Sequence, residues 1–206
     1  LAAVEGGGTT FVVSVARTVP KSFSSSPSDD IVPIDPSTNL VILHTASIPS
    51  SSLPPSETLR RCAEFLRFHR PAEGYDALGV ATFGPVGVDP SDPLTYGRIL
   101  PGSPKKEWRD VDVLSPLLRG CGSSPDADDS RPVPHRLDTD VNAPALAEFA
   151  RIVKSGCGQS GGGKKEEEKP LTSLAYVTVG TGVGVGLVVN SLPVHGMMHP
   201  EGGHVA

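Results

Sequence analysis

The chain has 206 residues, with 18 Lys and Arg against 23 Asp and Glu, a formal net charge of −5, and 37% hydrophobic residues. That length suits one large domain or two small ones, and the Val, Leu and Ala content supports a core of ordinary size. The acidic balance argues against nucleic acid as the main partner, and no apolar run approaches the roughly 20 residues that cross a bilayer.

The three cysteines, Cys62, Cys121 and Cys157, lie far apart with no CxxC pair. This is the usage of unpaired thiols in a reducing, cytoplasmic setting. Leu1–Val4 is too short for a signal peptide and runs straight into a glycine turn. With Leu rather than Met at position 1, the chain is expected to lack its true N-terminus.

In chain order, residues 2–5 and 11–16 predict two strands around a glycine turn, and 40–48 a third β-branched run. Residues 56–69 predict a helix, capped by Ser56 and carrying Leu59, Cys62, Ala63 and Leu66 on one face. Residues 77–83 form a short apolar strand ended by Gly84-Pro85. Helices follow at 112–118 and 143–153, then strands at 174–179 and 184–189. Strands mixed with helices make the class α/β. Three stretches, near 22–38, 122–132 and 155–170, are rich in Ser, Pro, Gly, Asp or like charges and read as exposed insertions. The strand, glycine turn, strand unit occurs twice, at 4–13 and at 177–189, as if two copies clasp one ligand.

Four segments carry chemistry. In Glu5-Gly6-Gly7-Gly8-Thr9-Thr10 the glycines let backbone N–H groups approach an anion, and Glu5 could hold a metal-bound water. A plain hairpin turn explains the same residues. Gly180-Thr181-Gly182-Val183-Gly184-Val185-Gly186 suits a second phosphate loop. It precedes a strand-like run and lacks a Lys-Ser/Thr pair, so it is neither a dinucleotide fingerprint nor a Walker loop. In Asp138-Thr139-Asp140-Val141-Asn142-Ala143 an acid at a strand end suits a general base for a hydroxyl, while helix capping is the ordinary alternative. In His199-Pro200-Glu201-Gly202-Gly203-His204, Glu201 could accept from sugar hydroxyls and His204 could bind metal or a hydroxyl. A surface turn is the default reading.

Taken together and in order, these segments resemble the ROK family (repressors, open reading frames, kinases). VEGGGTTF is similar to its first phosphate motif, DTDVNAPALAEF to its acidic catalytic segment, VTVGTGVGVGLVVN to its second phosphate motif, and HPEGGHV to its sugar-binding and zinc-entry segment. The stretch 79–113 resembles the fructokinase branch.

The resemblance implies an actin-like (ribonuclease H-like) fold of two α/β domains with a cleft, here 1–138 and the start of the second at 139–206. It implies ATP-dependent phosphorylation of a hexose, most closely D-fructose to fructose 6-phosphate, with Mg²⁺. Asp140 would be the general base. Asn142, Glu201, His204, Gly84 and Pro85 would meet the sugar. Gly7, Gly8, Thr9 and Thr10 would face the phosphates from one side, and Gly180, Thr181, Gly182 and Gly184 from the other. Glu5 would hold Mg²⁺ through water, and His204 would be the first zinc ligand, the others lying beyond Ala206. On this basis the second domain is expected to be incomplete, the fragment alone inactive, and the complete protein a Zn²⁺-containing homodimer. One departure stands out: the first phosphate motif usually carries Lys where Thr10 stands. Two other readings remain, a ROK-type sugar-responsive regulator, which needs a helix-turn-helix before the first motif, and an inactive sugar-binding module.

Overall fold

The computed structural model describes residues 1–19, 33–35, 39–122, 132–155, 171–180 and 182–195. It divides into two compact units, Leu1–Asp140 and Val141–Ala206.

The first unit is built on a six-stranded sheet. Its strands are β1 (Ala2–Gly6), β2 (Thr10–Thr18), β3 (Pro33–Asp35), β4 (Leu40–Pro49), β5 (Leu78–Thr82) and β6 (His135–Thr139), in the order β3-β4-β2-β1-β5-β6. β2 runs antiparallel to both β1 and β4, whereas β1, β5 and β6 are mutually parallel. The alternation in β2 shows why the segment is a strand. Phe11, Val13 and Val15 are buried on one face, while Val12 and Ser14 on the other are only partly so. Register puts Val4 beside Val13 and Val80, and Leu137 beside Val80, so neighbouring strands bury the same face.

That face is covered by α1 (Pro55–Phe68) and α2 (Leu114–Cys121), through Leu59, Cys62 and Leu66 of α1 and Leu114, Leu117 and Cys121 of α2. The two helices approach closely at Gly120, where a Cβ would sit 2.7 Å from the Ala63 backbone. α1 carries the expected apolar face but begins on Pro55, with no side-chain cap at Pro54. Ser56 therefore lies inside the first turn; proline, which has no N–H to leave unpaired, suits the first helical position. α2 starts two residues later than the sequence suggests, with the Asp112 carboxylate accepting the Ser115 N–H at 2.9 Å.

Between β5 and α2 the chain forms a block without long strands, tied by bridges Val86–Ile99, Gly87–Tyr96 and Arg98–Asp112. Trp108, in the 3₁₀ turn Lys106–Trp108, is its fully buried anchor. The stretch read as an insertion at 22–38 contains β3, because Pro33 and Asp35 pair with Val41 and Leu40 of β4. Apart from Gly122, Pro132 and Ser155, the rest of the three low-complexity stretches lies outside the described residues.

In the second unit α3 (Asn142–Ser155) packs on an antiparallel sheet β7-β8-β9, formed by Leu174–Val179, Val183–Val189 and Leu192–Pro193. Its core is Ala145, Phe149 and Val188, flanked by Leu146, Leu174 and Tyr176.

Candidate functional site

Three parallel strands of the first unit end side by side, and each delivers one expected site segment. β1 ends at Gly6 and opens into the Gly7–Thr9 turn. β5 ends at Thr82 and leads to Phe83-Gly84-Pro85. β6 ends at Thr139 and leads to Asp140. Gly6, Thr82 and Thr139 are aligned in register across the sheet. In open α/β sheets, ligands gather at the carboxyl ends of parallel strands.

The glycine turn is closed by the Gly7 N–H donating to the Thr10 carbonyl at 2.9 Å. Ser50, just after β4, holds it from behind. Its N–H donates to the Thr9 carbonyl at 2.9 Å. Its hydroxyl donates to the Gly7 carbonyl at 3.4 Å. Gly8 is exposed, with nothing within 4 Å of where a Cβ would stand, so a ligand can approach its backbone. Thr9 is exposed and Thr10 opens β2. Glu5 is exposed on the sheet face opposite the helices, one residue before the strand's end.

Beneath the turn, Phe11 stacks on Trp108 at 5.1 Å, and Phe83 meets both rings edge-on at 6.3 and 5.4 Å. The Phe83 N–H donates to the Gly6 carbonyl at 2.8 Å, fixing the exit of β5 against the exit of β1. Gly84 and Pro85 are joined by a cis peptide bond, and both are half-buried. The Ser103 hydroxyl donates to the Gly84 carbonyl at 3.3 Å. The Asp140 N–H donates to the Thr82 carbonyl at 3.0 Å, pinning the acid beside the Phe83 loop. The Thr82 hydroxyl is fully buried and has no hydrogen-bond partner among the described residues.

One residue that sequence reasoning passed over belongs here. Lys105 donates from Nζ to the Gly8 carbonyl, and its ammonium lies 4.4 Å from the centroid of the Phe83 ring. Burial depresses its pKa, and the carboxylates of Glu107 and Asp140 act in the opposite direction. Its only sequence signal was membership of the 79–113 stretch; nothing distinguished it from Lys106.

In the second unit the seven-residue glycine run separates into two kinds. Gly180 and Gly182 have nothing among the described residues within 4 Å of their Cβ positions, and the Gly180 N–H donates to the Gly182 carbonyl at 2.9 Å. Gly184 and Gly186 face α3: a Cβ at Gly184 would stand 2.6 Å from Val141 Cγ1, and one at Gly186 only 2.0 Å from the Val141 carbonyl oxygen. Packing requires glycine at both positions of that second pair. Asn142, expected at the sugar, is fully buried and engaged within the unit. Its Nδ2 donates to the Val194 carbonyl at 2.9 Å and its Oδ1 accepts the Leu187 N–H at 3.2 Å. The amide thus ties the start of α3 to β8 and to the segment after β9. Thr181, Glu201 and His204 lie outside the described residues. Among the described residues no group of three or more His, Cys, Asp and Glu side chains could hold a metal ion, and no helix is long and apolar enough to cross a membrane.

Residues 36–206 match the ROK family. The chain belongs to the ROK family. It is 32% identical over 203 residues to the fructokinase of Zymomonas mobilis, covering 98% of this chain and 52% of that protein. It is 30% identical over 205 residues to the fructokinase of Pediococcus pentosaceus, covering 100% of this chain and 53% of that protein. The chain thus spans about half the length of the curated relatives it matches. Among solved structures it is similar to the inorganic polyphosphate/ATP-glucomannokinase of an Arthrobacter strain, with a TM-score of 0.57 at 19% identity over 100% of this chain and 63% of that one. It is also similar to a ROK glucokinase from Streptomyces griseus, solved with glucose and AMPPNP, with a TM-score of 0.56 at 19% identity over 99% of this chain and 49% of that one. At that identity the likeness speaks for fold: this is the mixed α/β, actin-like architecture of the ROK sugar kinases.

Proposed function

We propose that the whole protein transfers the terminal phosphoryl group of ATP to a hexose, with D-fructose as acceptor and fructose 6-phosphate as product. The observation that carries this reading is the convergence, within one unit, of an open glycine turn, the Phe83–Pro85 loop and Asp140 at the ends of β1, β5 and β6. The choice of fructose rests on the relatives that bear the name fructokinase.

Phosphoryl transfer needs positioning and charge stabilisation more than covalent chemistry. In this reading Asp140 accepts the proton of the sugar hydroxyl as that oxygen attacks the terminal phosphorus, and ADP departs with the bridging oxygen. The backbone N–H groups around Gly8 and Gly182 receive phosphate oxygens, since both glycines leave room for them. Gly84 and Pro85 border the sugar. Glu5 suits Mg²⁺ held through water: its carboxylate is exposed at the end of β1, and this ion commonly takes one or two carboxylates plus substrate phosphates. Mg²⁺ would offset the charge on the phosphates. The zinc expected at His204 falls outside the described residues.

The test is a coupled ADP-release assay of the whole protein with ATP and a panel of fructose, mannose, glucose and N-acetylmannosamine. Fructose should give the highest kcat/KM. Preference for another hexose would move the substrate and keep the reaction, and ADP release with none of them would overturn the reading.

A further inference from the structure

The first glycine turn carries no cation of its own. Residues 5–10 are Glu, three Gly and two Thr, yet a turn that receives a triphosphate faces several negative charges. The structure brings one in from 97 positions along the chain, where Lys105 meets the Gly8 carbonyl.

Lys105 is held in place from several directions. The Ser103 hydroxyl bonds the Gly84 carbonyl at 3.3 Å, and Arg109 Nε donates back to the Ser103 carbonyl at 2.8 Å. Trp108, three residues on, is buried in the ring cluster and donates to the Ser50 carbonyl at 3.4 Å. The ammonium itself lies over Phe83, whose ring face attracts a cation. Its side chain is therefore positioned before any ligand arrives, which spares much of the ordering cost. An ammonium has three N–H donors, and the Gly8 carbonyl takes one. A neutral carbonyl is a weak partner for it, whereas charge-assisted bonds to phosphate are roughly twice as strong as neutral ones. Burial penalises the charged form of Lys105, and a nearby anion favours that form. The carboxylate of Asp140 is within electrostatic reach of the same ammonium. One cation thus serves both the phosphate turn and the proposed base.

We infer that Lys105 is the cation that binds the transferred phosphoryl group, in place of a cation in the first glycine motif. This rests on the sugar-kinase reading, and the test separates the two.

In the whole protein, Lys105→Met keeps the aliphatic stem over Phe83 and removes the charge. It should lower kcat/KM for ATP about a hundredfold, the scale of losing one preorganised donor to developing charge. Sugar affinity by isothermal titration should be unchanged, and Lys105→Arg should recover most of the loss. A folded Lys105→Met protein with kcat/KM for ATP within about twofold of the parent would overturn the assignment. Unchanged ATP kinetics with the acid limb of the pH–rate profile moved upward would overturn it too, and would give Lys105 the task of holding Asp140 ionised. So would a lowered Tm with normal ATP kinetics at low temperature, which would make the lysine a prop for the turn. If the parent releases no ADP with any hexose, both readings fall; if the parent is active and Lys105→Met matches it, only the lysine assignment falls.

Discussion

Trp108 and Ser50 are 58 positions apart and joined by a hydrogen bond from the indole Nε1 to the Ser50 carbonyl at 3.4 Å. Ser50 in turn bonds both Gly7 and Thr9. The buried ring cluster is thereby coupled to the backbone that faces the proposed phosphates.

This coupling predicts a split between two substitutions. Ser50→Ala removes only the hydroxyl bond to Gly7 and should cost about 1 kcal/mol of stability. It should also raise the KM for ATP, because the turn loses one of its supports. Trp108→Ala empties a fully buried site and should cost about 3 to 5 kcal/mol. Chemical denaturation gives both numbers. A Ser50→Ala protein with unaltered ATP kinetics would mean that the turn holds its shape without Ser50.

The glycines of residues 180–186 should divide by position. Gly186→Ala places a methyl group 2.0 Å from the Val141 carbonyl and 3.0 Å from Ala145 Cβ, so overpacking should cost about 1 to 3 kcal/mol. Gly182→Val enters open space and should leave stability within about 0.5 kcal/mol. It should instead raise the KM for ATP, since on the proposed function the side chain would take the space of phosphate oxygens. Thermal melts together with ATP titration of the whole protein distinguish the two. A normal KM for ATP in a folded Gly182→Val variant would remove this turn from the nucleotide site.

Much of the framework was legible in the sequence because it rests on local patterns. The alternation of Phe11, Val13 and Val15 marks β2, and the helical spacing of Leu59, Cys62 and Leu66 marks α1. The short strands β3 and β9 were missed, and β6 was read only as a strand end at the acid. His135-Arg136-Leu137-Asp138-Thr139 buries only Leu137 and Thr139, so it shows little apolar signal, and its strand character comes from pairing with β5. The Asn142 side chain illustrates another limit. The resemblance places it at the sugar, and here its amide also bonds Leu187 and Val194, some 45 and 52 positions away. Lys105 was hidden for the same reason, since its partner Gly8 is 97 positions distant. Local patterns carry no record of such pairings.

The thiols give a prediction that needs only this chain. Cys62 and Cys121 are buried between α1, α2 and the sheet, and burial pushes each thiol up to about 12. The thiolate is the reactive form, so both should resist iodoacetamide at pH 8 in the folded chain and label readily in denaturant, as read by peptide mass spectrometry. The sign for stability follows. The folded values lie above the ordinary value of 9.0, so the contribution is present below that pH and is lost as pH climbs toward 12. Rapid labelling of either cysteine under native conditions would show that the helix layer opens easily.

On the proposed function, Asp140 is the residue on which the chemistry depends most. Its backbone N–H holds the Thr82 carbonyl at 3.0 Å, and a side-chain substitution leaves that bond in place. Asp140→Asn therefore removes the basic oxygen without releasing the turn. In the whole protein it should lower kcat by at least about a hundredfold, the usual scale for a general base, with sugar affinity little changed. Asp138→Asn is the matched control. Its carboxylate accepts the N–H of Thr139 at 2.7 Å, a local bond that an amide oxygen can also accept, so kcat should stay within about threefold of the parent. The pair also separates chemistry from bulk charge, since each variant removes one negative charge two residues apart. Equal losses in both would point to the local field rather than to a proton acceptor, and near-normal turnover in Asp140→Asn would take Asp140 out of the catalytic step altogether.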